Sequence, residues 1–376
     1  MSEPFNPNQL STQAIQTELQ TAVASGTGGR APKVYKRISA VLIHFEDDDI
    51  GCDGLEKELA ETFRNFYNIN NIKHLLIKNE NAHLAVSRVL VELTDKGCTG
   101  KDCLVILVFS GHGKAEPEFD PNMIRGPIYK LKLGGAIGAN GKFRTRTLDW
   151  NSATAILDDM ECDVLHIMDC CFAAESMRSD AELLAAASQT AGSDANTSFT
   201  NAVIQELRRL SSRPFTISTL YQEIMRNRRA LKLEYIPFYH RRPGRASVVL
   251  GGQRGPPVVP TLKPNDPRVL LAVHVSKTFD MQDLEDWKKW LSDLLPPTVM
   301  GMQIKLEGAW DSSSSVMLLS VPITVWAQLS NINRAFIFVG EVTSNNKCLE
   351  QATTTLAVRP LKGLENQKPG ESSKKK

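Results

Sequence analysis

The chain has 376 residues, of which 42% are hydrophobic and 23% charged, and its formal net charge is +2. These totals are typical of a globular protein with one or two domains, and the balanced charge predicts neither nucleic-acid nor membrane binding. No apolar run reaches the roughly 18 to 20 residues of a membrane span, and the first 30 residues lack the pattern of a signal peptide. The seven cysteines are scattered without zinc-type pairs, so we expect free thiols and a cytoplasmic protein.

The first 35 residues are polar and predict a largely mobile N-terminal arm, with a short amphipathic helix compatible with residues 9–23. From residue 36 apolar strands alternate with amphipathic helices, which predicts a mostly parallel sheet flanked by helices. The segments in question are strands at 37–46, 71–78, 103–110 and 164–168 and helices at 53–67 and 81–97.

The segments between and after these strands are less regular. Residues 127–148 alternate around Gly-Ala-Asn-Gly and predict a hairpin appended to the sheet, and Asn151 is a plausible N-cap of a short helix. Residues 182–188 suit a fifth strand or a helix. Two helices follow, the first capped by Ser198 or Thr200, and Arg245–Leu250 predicts the last strand.

A second unit follows the Gly- and Pro-rich residues 253–267, which predict a linker. Residues 268–345 have the order strand, helix, strand, strand, helix, strand, which predicts a smaller α+β ferredoxin-like (βαββαβ) module. Its third strand, Ser315–Val321, lacks the aromatic residues that stack on bases, so we expect the module to bind protein and not nucleic acid. The tail 346–376 is polar, basic and expected to be disordered.

Two segments at strand ends carry residues with chemistry. "VFSGHG" places His112 between two glycines after one strand, and "MDCCFAA" places Asp169, Cys170 and Cys171 after another. Because the carboxyl ends of parallel strands meet at one edge of a sheet, these groups can lie side by side. A thiol nucleophile needs a neighbouring histidine and donors for an oxyanion. Either motif alone also fits a surface turn or packed thiols.

Taken together, the two motifs resemble the catalytic pair of the caspase, metacaspase and paracaspase peptidases. The resemblance covers residues 36–252 and implies a caspase-like domain with a mostly parallel six-stranded sheet. The Asp-x-Cys form is closer to metacaspases and paracaspases, since the Gln-Ala-Cys-Arg-Gly of true caspases is absent. It implies a cysteine endopeptidase, and by association regulated cell death.

The resemblance also implies roles for individual residues. Metacaspases read Asp-Ser-Cys-His-Ser-Gly, so Cys171 matches the nucleophile and Cys170 the serine before it. His112 would be the base, and the backbone N–H groups of Gly113 and Cys171 would form the oxyanion hole. Residues 172–174 are Phe-Ala-Ala and depart from His-Ser-Gly, which should reshape the following loop without removing the His-Cys dyad.

Acidic residues predict what the enzyme cuts. By the resemblance, Asp53 and Asp169 match two carboxylates that select the residue before the cleaved bond, and paired carboxylates favour a guanidinium or ammonium group. We therefore expect protein or peptide substrates cut after Arg or Lys. Asp53 also precedes a predicted helix and could instead be its N-cap.

Further expectations depend on the family alone. Some metacaspases require Ca²⁺, and acidic runs at 46–49 and 157–163 offer oxygen ligands, yet neither has the spacing of a calcium loop. Arg178 and Arg30 are candidate autoprocessing sites. The alternatives are an inactive caspase-fold scaffold for protein–protein interaction and a redox sensor built on Cys170 and Cys171, and the oligomeric state is left open.

Overall fold

The structure is a computed structural model that describes most of the chain. The described residues are 10–27, 33–78, 81–118, 128–174, 181–186, 198–242, 245–252, 266–276, 278–294, 303–310, 315–329, 336–344 and 346–347. Within these ranges no helix combines the length and apolarity that a membrane crossing would need.

The larger unit alternates strands and helices, as the sequence predicts. Its helices are α1 (Thr12–Thr27), α2 (Cys52–Tyr67), α3 (Ala82–Asp95), α4 (Trp150–Thr154), α5 (Phe199–Leu210) and α6 (Ile217–Asn227). Its strands are β1 (Arg37–Phe45), β2 (Asn71–Ile77), β3 (Cys103–Ser110), β4 (His112–Glu118), β5 (Ile128–Gly134), β6 (Leu148–Asp149), β7 (Asp163–Asp169), β8 (Glu182–Ala185), β9 (Phe215–Thr216), β10 (Phe238–His240) and β11 (Val249–Leu250).

Six of these strands form the central sheet, in the order β10-β8-β7-β3-β1-β2. All neighbours are parallel except β10, which runs antiparallel to β8. Strand β3 is buried at every position because helices cover both faces of the sheet. The expected mostly parallel six-stranded α/β sheet is therefore confirmed, and residues 182–185 are a strand.

The sixth strand of this sheet is not the predicted one. Strand β11, at the end of the predicted strand Arg245–Leu250, pairs with β9 in a separate two-stranded sheet, and the edge position belongs to β10. Three residues are too short for a strand pattern to be read from sequence. Tertiary contacts hold β10 in place, since the buried Glu182 carboxylate accepts hydrogen bonds from the Tyr239 hydroxyl and the Ser247 hydroxyl, both at 2.6 Å.

The predicted hairpin is also arranged differently. Strand β5 pairs with β4, which starts at His112, and on its other edge with β6. The segment around Gly-Ala-Asn-Gly contributes only an isolated bridge between Ile137 and Phe143. Asp149, not Asn151, caps α4, because its carboxylate accepts the Ser152 N–H at 3.1 Å. The hairpin therefore begins at the candidate histidine itself.

The N-terminal segment is more ordered than expected over its described part. Helix α1 spans Thr12–Thr27 and buries Ile15, Leu19, Ala22 and Val23, which recur along one face. The Leu10 N–H donates to the carbonyl oxygen of His274 at 3.1 Å, which ties the chain before α1 to the C-terminal unit. Burial of this apolar stripe accounts for a docked helix where polar composition predicted a mobile arm.

The smaller unit has the expected order of elements. It consists of β12 (Arg268–Val275), α7 (Met281–Asp293), β13 (Lys305–Trp310), β14 (Ser315–Pro322), α8 (Ile323–Trp326) and β15 (Phe336–Val342). The strand order is β13-β14-β12-β15, and all neighbours are antiparallel. Strand β12 alternates buried and half-buried positions, so one face of this sheet forms core. The linker segment 253–265 and the tail beyond 347 lie outside the described residues.

The two units pack directly against each other through α6 and α8. The Gln328 side chain donates to the Ser218 hydroxyl at 2.7 Å, and the Trp326 indole N–H donates to the Tyr221 hydroxyl at 3.1 Å. One continuous cluster of buried apolar residues includes members of both units, while a second cluster lies within the larger unit. The C-terminal unit is therefore part of the same packed body.

Candidate active site

The two candidate motifs meet at the carboxyl ends of β3 and β7. These strands are parallel neighbours, with Ser110 opposite Asp169. Beyond that pair, the Gly111 N–H donates to the carbonyl oxygen of Asp169 at 3.2 Å. His112 lies two residues after Ser110, and Cys171 lies two residues after Asp169. The sheet therefore brings the two segments together at the same edge.

Gly113 shows how closely the two segments pack. A Cβ atom added to Gly113 would overlap the carbonyl oxygen of Cys171 and would lie 3.2 Å from Cys170 Sγ. No residue larger than glycine fits between the His112 strand and the peptide of Cys171. Gly111 has a φ of 149°, which also favours glycine. These two glycines let β3 pass into β4 directly above the cysteines.

Cys171 lies at a sharp turn after β7. Phe172 has a φ of 57°, a left-handed conformation that costs a non-glycine residue roughly 1 kcal/mol. Backbone strain of this kind is common where a reactive side chain is held out of regular structure. The turn leaves Cys171 half-buried, at the edge of the sheet.

The two adjacent thiols occupy different environments. Cys170 is only 3% exposed and packs in the core below the turn. Burial raises the pKa of Cys170 well above its usual value, and the neighbouring Cys171 and Asp169 raise it further. A thiol of this kind stays protonated and unreactive at neutral pH. Of the two, Cys171 is the one that a substrate could reach.

The His112 imidazole is hydrogen-bonded to a carboxylate that the sequence analysis did not assign to it. His112 Nε2 lies 2.7 Å from Asp49 Oδ1, and the His112 side chain is 25% exposed. Asp49 follows β1, whose carboxyl end lies beside that of β3. The sequence did offer one signal for this contact, because Asp49 follows a strand that was predicted to lie in the same parallel sheet as β3. Asp49 also belongs to the acidic run 46–49, whose side chains were expected to be possible Ca²⁺ ligands.

Asp169 is held by the start of α5. Its Oδ2 atom accepts hydrogen bonds from the backbone N–H and the hydroxyl of Thr200, both at 2.8 Å. Both of these bonds reach one oxygen, and among the described residues Oδ1 receives none. Burial raises the pKa of Asp169, and the Thr200 bonds oppose that shift. The helix is capped by Ser198, as expected, and its N-terminus favours the nearby anion.

The structure does not place the Asp53 carboxylate beside Asp169. Asp53 lies in the first turn of α2, its side chain is 62% exposed, and its Oδ2 is 2.5 Å from Lys57 Nζ. This ion pair holds the pKa of Asp53 below its usual value. Nor is Asp53 the N-cap, since Gly51 occupies that position. The neighbouring Cys52 is closer to the Asp169 carboxylate: burial raises the pKa of the Cys52 thiol, and the nearby charges of Asp48 and Asp169 raise it further.

Two further expectations concern a Ca²⁺ site and autoprocessing. Within the described ranges, no three acidic, histidine or cysteine side chains are grouped so as to hold a metal ion. The suggested autoprocessing residues Arg30 and Arg178 lie outside the described residues. Two contacts were missed from sequence, those of Asp49 with His112 and of Thr200 with Asp169, and both join residues far apart in the chain.

Comparisons with known proteins show similarity at the level of structure. No protein-family model matches the chain, and no curated protein matches it either. Among solved structures, the chain is similar to caspase-1 from Spodoptera frugiperda, with a TM-score of 0.39 and 13% sequence identity. That similarity covers 58% of this chain and 91% of the caspase.

Proposed function

We propose that the protein is a cysteine endopeptidase of the metacaspase or paracaspase type with a caspase-like catalytic domain, and that it hydrolyses peptide bonds after Arg or Lys. The observation that carries the proposal is the register of β3 and β7, which sets His112 and Cys171 at adjoining strand ends. The close packing of Gly113 on the Cys171 peptide supports the same arrangement. A residue chosen only to fill a turn would not have to be glycine there.

The proposed chemistry is acyl transfer through a thioester. His112 takes the proton of the Cys171 thiol, and the thiolate adds to the carbonyl carbon of the peptide bond. Backbone N–H groups of Gly113 and Cys171 would stabilise the oxyanion. The C–N bond then breaks, and the leaving amine receives the proton from His112. Water adds to the thioester with His112 as the base, which releases the acid product and restores the thiol.

Asp169 supports the proposed preference for a basic residue. Its carboxylate lies two residues before the nucleophile and is oriented by Thr200 through Oδ2, while Oδ1 is available to a ligand. A guanidinium or ammonium group would be the complementary partner of a partly buried carboxylate. We keep Asp53 as a second candidate because the start of α2 lies near Asp169.

The other parts of the proposal extend beyond the catalytic residues. We propose that residues 268–345 form a ferredoxin-like module, which its strand order supports, and that this module binds protein. The six free cysteines of the described residues are consistent with the proposed cytoplasmic location. Autoprocessing at Arg178 or Arg30 and a role in regulated cell death stay predictions, and dependence on Ca²⁺ is left open.

The function is tested by measuring hydrolysis of fluorogenic peptides that end in Arg, Lys or Asp, each with and without Ca²⁺. We expect turnover of the Arg and Lys peptides and none of the Asp peptide. Turnover of the Asp peptide alone would contradict the preference while keeping the dyad. If no peptide is cut and a thiol-reactive probe fails to label Cys171, the inactive scaffold becomes the better interpretation.

Substituting Gly113 by alanine is expected to abolish most of this activity. The added Cβ would overlap the carbonyl oxygen of Cys171, and because that oxygen belongs to the backbone and cannot rotate away as a side chain could, the two strand ends must separate. Loss of oxyanion alignment predicts a fall in kcat of about 10²- to 10³-fold. The measurement is kcat on an Arg peptide, together with thermal unfolding of the variant.

Gly54→Ala is the matched control for this substitution. Gly54 lies in α2 and a Cβ there meets nothing within 4 Å. We expect unchanged kcat and a gain in stability of up to about 1 kcal/mol from the better helix former. Full activity of Gly113→Ala would mean that the two segments do not need to touch during turnover.

A further inference from the structure

Three consecutive acids after β1 have three separate contacts. The Asp47 carboxylate accepts the Thr145 hydroxyl at 3.3 Å. Asp48 accepts backbone N–H groups of residues 50–52 at 2.8 to 3.2 Å. Asp49 alone reaches the imidazole of the proposed base. The run is therefore not a single acidic cluster.

Asp48 makes the position of Asp49 well defined. Its three backbone hydrogen bonds close a tight turn before α2 and replace the side-chain cap that Gly51 cannot provide. Asp49 lies inside this braced turn, and its Oδ1 is 2.7 Å from His112 Nε2. A carboxylate on a fixed turn can hold a ring in one orientation at a small entropic cost.

This contact determines which nitrogen of His112 can exchange a proton. A carboxylate accepts only, so in the neutral imidazole Nε2 carries the hydrogen and Nδ1 has the free lone pair. Nδ1 is then the atom that takes the thiol proton of Cys171. When His112 becomes positively charged, the Asp49 carboxylate stabilises that charge through the same hydrogen bond.

We propose that Asp49 is a positioning residue for His112, which makes the centre a carboxylate–histidine–thiol arrangement. The inference rests on the proposed peptidase function and deepens it. The contacts of Asp49 show no other role for it. Among the described residues, no lysine or arginine forms an ion pair with Asp49, and its 43% exposed side chain is not needed to fill the core. A residue kept only for solubility would not need to face the ring at 2.7 Å.

The test compares wild type with Asp49→Asn, Asp49→Glu and Asp49→Ala, using kcat and KM on an Arg peptide and thermal unfolding. We expect Asp49→Ala to lower kcat about 10²-fold, within the range of general acid–base effects, while KM and the unfolding temperature stay near wild type. Asp49→Asn keeps an acceptor and should lose less. Asp49→Glu keeps the charge and should recover part of the activity.

Glu46→Gln is the matched control, since Glu46 is an exposed acid on the same turn whose carboxylate makes no contact with His112. It removes one negative charge nearby and should leave kcat unchanged. Unchanged kcat in Asp49→Ala would overturn the proposal. A higher kcat would also overturn it, since the contact would then hold His112 away from Cys171. A combined rise in KM and loss of stability would indicate a structural role only.

A second readout separates this proposal from the peptidase function. The rate of Cys171 alkylation by iodoacetamide, located by peptide mass spectrometry, reports the reactivity of the thiol without any substrate. If wild type cuts no peptide, the proposed function fails, but slower alkylation in Asp49→Ala than in Glu46→Gln still supports positioning. Equal alkylation rates in the two variants would overturn it.

Discussion

Cys171→Ala is expected to remove peptide hydrolysis, lowering kcat by about 10⁴-fold or more, as loss of a catalytic nucleophile does. The thiol is half-buried at the turn after β7, while its neighbour Cys170 is 3% exposed in the core. Cys170→Ala should therefore keep kcat near the wild-type value. Its cost is a small cavity, about 1 kcal/mol in the free energy of unfolding.

Each of these two variants removes one sulfur atom, so comparing them distinguishes the loss of a nucleophile from the loss of a packed thiol. Labelling with iodoacetamide should modify Cys171 and leave Cys170 unmodified, because burial raises the pKa of Cys170 and keeps it protonated. Thermal unfolding checks that Cys171→Ala is folded. Loss of activity in Cys170→Ala with a stable fold, and none in Cys171→Ala, would reverse the assignment.

Much of this arrangement could be predicted because parallel strands end at one edge. The strands before His112 and Cys171 are continuous apolar runs, and such runs identify buried strands of a parallel sheet. Once both were placed in that sheet, their polar ends had to face the same side. The structure agrees with this rule, because Ser110 and Asp169 are paired at the carboxyl ends of β3 and β7.

What could not be predicted depends on contacts between distant segments. The three residues of β10 have no readable period, and their pairing is stabilised by Glu182. Helix α1 has a polar composition overall, and only its buried face shows that it docks. The hydrogen bonds of Asp49 with His112 and of Thr200 with Asp169 join segments far apart in the chain, and no local sequence pattern indicates such contacts. The local sequence pattern predicted most helices and strands correctly, but it did not predict which side chains contact each other.

Asp169→Asn is expected to remove the preference for a basic residue. Asparagine has nearly the same shape, and its Oδ1 can still accept the two Thr200 hydrogen bonds. Losing the charge that faces a guanidinium should cost about 2 to 5 kcal/mol, so kcat/KM on an Arg peptide should fall by about 30-fold to several thousand-fold. A citrulline peptide, equal in shape and uncharged, should lose far less. The measured quantity is the Arg-to-citrulline ratio of kcat/KM.

The fold itself should tolerate this substitution. Burial raises the pKa of Asp169, so its ionised form is less favourable in the folded chain than in the unfolded one, and stability from this group is lost as pH rises through the raised pKa. Replacing the carboxylate by a neutral amide therefore should not lower the free energy of unfolding at neutral pH. A loss of activity in Asp169→Asn can then be assigned to recognition.

The same raised pKa predicts how selectivity depends on pH in the wild type. Above it the carboxylate is ionised and the Arg-to-citrulline ratio is at its maximum; as pH falls through it, protonation removes the charge and the ratio declines towards that of Asp169→Asn. The decline should begin at a higher pH than for an ordinary aspartate. A ratio in Asp169→Asn that equals wild type at every pH would exclude Asp169 from the pocket.

Asp53→Asn decides whether one carboxylate or two select the substrate. Asp53 is 62% exposed and paired with Lys57, so in this conformation its removal should change the Arg-to-citrulline ratio only slightly, because exposed ion pairs contribute little. A fall as large as that of Asp169→Asn would mean that substrate binding turns Asp53 away from Lys57 and into the pocket. In that case Lys57→Ala should raise activity, because it frees the Asp53 carboxylate. A fall in activity for Asp53→Asn together with a rise for Lys57→Ala would indicate that Asp53 itself enters the pocket.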